Sequence, residues 1–118
     1  MILGVGVDIC EIARIEKIFS KSKEQFSERL LAEGELCKDS AEAYAKRFAA
    51  KEAVSKALGT GIGEKLSFQD IEISHHESGQ PYVMLSEKAI AHFGDVKLHL
   101  SLSDEAGLAV AYVVAEKM

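Results

Sequence analysis

The spacing of hydrophobic residues changes period several times along this chain, and each change marks an element. Ile2 to Ile9 is a short apolar run. It reads as a strand over 2–9 with Ile2, Gly4, Gly6 and Asp8 on one face. From 11 to 21 the spacing is helical, with Ile12, Ile15, Ile18 and Phe19 inward. A shorter helix over 23–32 turns Phe26, Leu30 and Leu31 inward, and 32–40 has no clear period. A long helix over 41–58 closes at Gly59 as its C-terminal cap. After the loop Gly59-Thr60-Gly61-Ile62-Gly63, positions 66–74 alternate as a strand. Leu66, Phe68 and Asp70 lie on one face, with Ser67, Gln69, Ile71 and Ile73 on the other. Ser78-Gly79-Gln80-Pro81 is a turn, followed by a short returning strand over 82–85. Ser86 caps a helix over 86–93, with Gly94 past its end. Positions 96–103 alternate again, 104–107 turn the chain, and 108–115 is nearly all apolar, a central strand. These elements predict an α+β fold, a mainly antiparallel sheet packed against the long helix.

Composition narrows the picture. The chain has 118 residues, which suits one domain over 1–118, and 47% of them are hydrophobic, enough for a core. No apolar run approaches the roughly 18 residues of a membrane span. The N-terminal run breaks at Asp8 and lacks a basic flank, so a signal peptide is not expected. Cys10 and Cys37 have no metal-ligand spacing and suit reduced thiols in a cytoplasmic protein. A net charge of −5 argues against nucleic-acid binding. The basic residues are nevertheless uneven. Arg14, Lys17 and Lys21 share one helical face, with Lys23 and Arg29 close behind. On the pattern alone this is a solvated face or a docking surface for an acidic partner.

Candidate chemistry centres on the end of the long helix. Ala41, Ala45, Phe48 and Ala49 fall within about 60° of Glu52 on its surface. A carboxylate on so small and apolar a stripe needs a partner. Lys56 is one turn on, and the glycine loop offers flexible amides. A carboxylate, the lysines Lys51 and Lys56, and such a loop suit a metal ion and a phosphate. Asp8, at the end of a buried strand, occupies a common place for a metal ligand. The plainer readings are an exposed Glu52–Lys56 pair and Asp8 capping the next helix. The loop is not a Walker loop, because it follows its helix. His75-His76 reads as a solvated turn. His99 and Ser103 lie about 13 Å apart along a strand, too far for a local Ser–His pair.

Two long segments carry a family resemblance. Gly4-Val5-Gly6-Val7-Asp8-Ile9-Cys10-Glu11-Ile12-Ala13-Arg14-Ile15 resembles the opening motif of the holo-acyl-carrier-protein synthases. Arg47-Phe48-Ala49-Ala50-Lys51-Glu52-Ala53, with Ser55-Lys56-Ala57-Leu58-Gly59-Thr60-Gly61, resembles their central motif. Phe68-Gln69-Asp70-Ile71, Gly79-Gln80-Pro81 and His99-Leu100-Ser101-Leu102-Ser103 follow in the family's order. The resemblance implies a single-domain 4′-phosphopantetheinyl transferase. Such an enzyme moves phosphopantetheine from coenzyme A to a serine of acyl carrier protein and supports fatty acid biosynthesis. It further implies Mg²⁺ on Asp8 and Glu52, with Glu52 or a water it orients as the base. Arg47, Lys51, Lys56, Gly59 and Thr60 would contact coenzyme A. The carrier would dock on Arg14, Lys17, Lys21 and Arg29, and a homotrimer would share its sites between subunits. Asp104 stands where many family members carry histidine. A Mg-dependent phosphohydrolase and a catalytically silent binding module are the alternatives.

Overall fold

In the computed structural model, which describes residues 1–118, the first strand runs two residues past its expected end. Strand β1 spans Ile2–Glu11 and passes directly into helix α1, Ile12–Leu30. The two helices expected at 11–21 and 23–32 are one element bent at Ser22, whose φ of −155° and ψ of 45° leave the helical region. Helix α2, Ala41–Ala57, starts at Ser40, whose hydroxyl accepts the amide of Ala43.

The strand expected over 66–74 starts only at Ile71. Asp70 is the reason. Its Oδ2 accepts both the amide (2.9 Å) and the hydroxyl (3.0 Å) of Ser67, and this folds Phe68–Asp70 into a 3₁₀ turn. Its Oδ1 accepts the hydroxyl of Ser86 at 2.7 Å. Leu66, Phe68 and Asp70 therefore do not share a strand face. Beyond the turn, β2 (Ile71–His75) pairs antiparallel with β3 (Pro81–Leu85), and α3 (Glu87–Phe93) follows its cap, Ser86. Burial pushes the Asp70 carboxyl up, but the Ser67 and Ser86 hydrogen bonds prevail and hold it below the usual aspartate range. A depressed carboxyl stabilises the fold above its unfolded value and loses that contribution as pH falls through the folded one. Asp70→Asn is expected to cost about 2 kcal/mol at neutral pH. In urea titrations that gap should persist near neutrality and shrink in strong acid.

Strand β4 (Val96–Glu105) and β5 (Leu108–Lys117) form a longer hairpin than the alternation suggests. Ala106 (φ 53°) and Gly107 (φ 80°) supply a two-residue turn, so Asp104 belongs to the ladder opposite Ala109. The sheet order is β1-β5-β4, all antiparallel, and β2-β3 is a separate ribbon.

Helix α2 lies across this sheet because both surfaces are small. Ala45, Ala49, Ala53 and Ala57 of the helix are buried, as are Ala109, Ala111, Val113 and Ala115 of β5. Gly4 and Gly6 complete the bed. A Cβ on either would overlap a backbone carbonyl oxygen of α2, that of Ala57 or of Ala53. Gly6→Ala is expected to cost about 3 kcal/mol, read as a lowered urea midpoint, since backbone cannot yield as a side-chain tip does.

Candidate active site

Close contact between β1 and α2 brings Asp8 and Glu52 together. Asp8 follows Gly6 on the helix-facing side of β1, and Glu52 lies among the buried alanines of α2. Burial raises the Glu52 carboxyl above the ordinary glutamate range, and the negative charge of Asp8 adds to the rise. Lys56 and Arg14 oppose it. The Lys56 ammonium bridges the two elements, donating to Asp8 Oδ1 at 3.1 Å and to the Val7 carbonyl at 2.9 Å, and it remains half exposed. No cluster of three His, Cys, Asp or Glu side chains that could hold a metal exists in the chain.

Glu52 opens onto a cavity of about 500 Å³ between α1 and α2. Ile15, Ile18, Phe26, Phe48 and Phe68 make its apolar wall, and Arg14 and Arg29 border it. The Arg14 guanidinium sits 5.3 Å from the centre of the Phe48 ring, a cation–π contact that holds it beside Glu52. Thus two of the four basic residues of the expected docking face share a cavity with the key carboxylate. Lys17 and Lys21 are exposed on α1 outside it.

Lys51 requires a correction. It is fully buried, and its three donors go to the Leu30 carbonyl (2.6 Å), Glu35 Oε1 (2.7 Å) and the Phe68 carbonyl (3.1 Å). It faces the interior, 100° around the helix from Glu52, so no surface remains for a phosphate. Arg47 is also mostly committed. It donates to the Leu36 carbonyl at 2.8 Å, and its Nε lies 3.3 Å from Glu35 Oε2 without the alignment of a hydrogen bond. Its remaining edge borders a second groove, of about 630 Å³, with Lys38, Lys46 and His75.

The glycine loop is a second correction. Four of its five amides are not free: Gly59 donates to Lys56, Thr60 and Gly61 both to Ser55, and Gly63 to Leu66. A helix C-terminus presents unpaired carbonyls, and a following glycine loop folds back to satisfy them. Gly59 (φ 82°) makes that reversal, while the exposed Thr60 hydroxyl donates to the Gly61 carbonyl. Asp104 turns to α2, pairing with Lys46 at 2.8 Å. His99 meets Glu116 at 3.0 Å, and His76 stacks on Tyr82. Glu35 was invisible in the sequence, one of three acids, with Glu33 and Asp39, in the stretch without period. It is the buried partner of Lys51, and only its contacts reveal it.

A long helix on a small antiparallel sheet, with the helix carboxylate Glu52 opening onto a basic-rimmed apolar cavity and the sheet carboxylate Asp8 beside it, defines an α+β domain equipped for a charged substrate. The family model of the 4′-phosphopantetheinyl transferase superfamily matches residues 4–113, and the chain belongs to that family. It is 49% identical to a holo-[acyl-carrier-protein] synthase of Ruthia magnifica, with 98% of each chain covered. Among solved structures it resembles the Helicobacter pylori holo-[acyl-carrier-protein] synthase in complex with coenzyme A (TM-score 0.89, 46% identity, 95% of this chain and 99% of that one). It also resembles the Neisseria meningitidis holo-[acyl-carrier-protein] synthase (TM-score 0.90, 38% identity, 99% and 100%).

Proposed function

We propose that this protein transfers 4′-phosphopantetheine from coenzyme A to a serine hydroxyl of an acyl carrier protein, releasing adenosine 3′,5′-bisphosphate. The observation that carries the reading is Glu52, desolvated on α2, facing Asp8 on one side and the Arg14–Arg29 cavity on the other. The serine oxygen forms a bond to the β-phosphorus as the pyrophosphate P–O bond breaks. The serine proton goes to Glu52, directly or through a water it orients. Lys56, exposed beside Asp8, is placed to meet a phosphate oxygen. Arg47 is a contact for the nucleotide end through the second groove, and the open space around the exposed Gly59 and Thr60 leaves room for a close approach.

Asp8 and Glu52 are the residues that would hold Mg²⁺. This ion takes one or two carboxylates and leaves its other positions to water and substrate phosphates, which fits a pair with no third protein ligand. When bound it offsets charge on the pyrophosphate and its leaving group. Without the ion, chelated enzyme is expected to lose transfer, and Mg²⁺ to restore it.

The outer face of the sheet supports the homotrimer. Leu3, Val5, Val7, Ile9 and Tyr112 are each 46% to 60% exposed on the side away from α2. A contiguous apolar face of this kind marks an interface. A threefold ring closes with heterologous contacts and lets each site borrow a neighbouring wall. Val7→Asp is expected to convert the trimer to monomer in sedimentation and to remove most activity. An active monomer at assay concentration would refute the assembly. No helix is long and apolar enough to cross a membrane, and the reading places the enzyme in the cytoplasm. Coenzyme A cleavage without carrier would favour a phosphohydrolase. Stabilisation by coenzyme A with no turnover would favour a binding module.

A further inference from the structure

We infer that Lys51 and Glu35 are positioning residues for the transfer: their buried pair fixes the end of α1, and with it the Arg29 side of the cavity, against Glu52 on α2. The inference rests on the reading of Glu52 as the carboxylate that serves the serine.

The hydrogen bonds of the pair reach the cavity wall or brace it, and Glu35 also lies 3.3 Å from the buried Arg47 guanidinium. The Lys51 ammonium holds the carbonyls of Leu30 and Phe68, and both residues line the cavity. Leu30 is the last residue of α1 and follows Arg29, while Lys51 immediately precedes Glu52. One buried cation therefore ties the neighbour of the rim arginine to the neighbour of the reactive carboxylate. It sits at the C-terminal end of α1, where the helix presents unpaired carbonyls and favours positive charge. Glu35 holds that cation in place. Its Oε1 accepts from Lys51 (2.7 Å) and the Ala32 amide (2.9 Å), and its Oε2 accepts from the Ile73 amide at 3.2 Å, anchoring the pair to β2.

Stability alone does not account for so costly an arrangement. Replacing a buried ion pair by apolar side chains of similar volume is often neutral or stabilising, whereas breaking one partner away costs several kcal/mol. What apolar replacements lack is direction: they do not hold two particular carbonyls at fixed distances. Transfer needs that fixity, because a misplacement of about 1 Å costs on the order of 10²-fold in rate.

The test is the double variant Lys51→Met/Glu35→Leu, measured beside Glu52→Gln. The double variant is expected to keep a cooperative thermal transition, while kcat at saturating coenzyme A and carrier falls about 30-fold or more. A purely structural role would leave the kcat of the folded fraction unchanged, and that result overturns the inference. If the double variant does not fold, Glu35→Gln decides. It keeps the volume and one carbonyl oxygen, and is expected to lower kcat at least about threefold with KM for coenzyme A unchanged. Wild-type kcat in Glu35→Gln then overturns it. Full activity of Glu52→Gln would overturn the role of that carboxylate and this inference together. An inactive Glu52→Gln beside a double variant of wild-type kcat would overturn this inference alone.

Discussion

Asp8→Ala and Glu52→Ala are each expected to reduce transfer about 10³-fold or more with the fold intact. The two losses have different roots. Asp8→Ala removes one of the two carboxylates proposed to lie beside the phosphates and frees Lys56 from its 3.1 Å contact. On the proposed mechanism, Glu52→Ala removes the acceptor for the serine proton. Neither change should weaken the fold. The Glu52 carboxyl is raised by burial and by Asp8, so its ionised form already disfavours the folded state. The sign is opposite to that of Asp70: the penalty is absent at low pH, where the group is protonated in both states, and present once it ionises. Glu52→Gln should therefore be at least as stable as wild type at neutral pH, a trade of stability for activity often found at reactive groups. Steady-state rates and urea midpoints together check this. Inactivity accompanied by unfolding would count against it.

Arg14→Glu is expected to raise the KM for carrier protein about tenfold or more, equivalent to ~1.4 kcal/mol or more, and the KM for coenzyme A little. The chain is acidic at −5, so an acidic carrier is repelled by the whole and must be drawn in by a local patch. Arg14 is the best placed member, because its guanidinium stands over Phe48 at the rim of the cavity that Glu52 enters. Lys17 and Lys21 lie outside that cavity and should contribute through longer-range attraction, with smaller effects. With a Debye length of about 10 Å at 0.1 M salt, carrier binding should weaken as salt rises, and the Arg14→Glu variant should lose that dependence in part. Equal effects on both substrates would reduce the patch to a solvated helix face.

The parts of this molecule that the sequence reveals are those with a period. Alternation over 96–103 placed β4, helical spacing over 11–21 placed the first half of α1, and Gly59 marked where α2 ends. The sequence also singled out Asp8 and Glu52 as charges on small, apolar surfaces, and the fold puts them on facing elements. What stayed hidden depends on contacts between distant positions. Lys51 looks like a phosphate ligand when read beside Lys56. Its direction is settled by Glu35, sixteen residues earlier, in a segment with no pattern. The glycine loop looks like a cradle of free amides until the carbonyls of Lys56 and Ser55 claim them. Asp70 looks like a strand residue because nothing local says that Ser67 and Ser86 will both bind it.

The most direct test of the central claim is the mass of an apo acyl carrier protein after incubation with this enzyme, coenzyme A and Mg²⁺. The account predicts a carrier heavier by one phosphopantetheine group on a single serine, with adenosine 3′,5′-bisphosphate released in equal amount, and no change when Asp8→Ala or Glu52→Ala replaces wild type. An unmodified carrier, or coenzyme A cleaved at the same rate whether or not carrier is present, would contradict it.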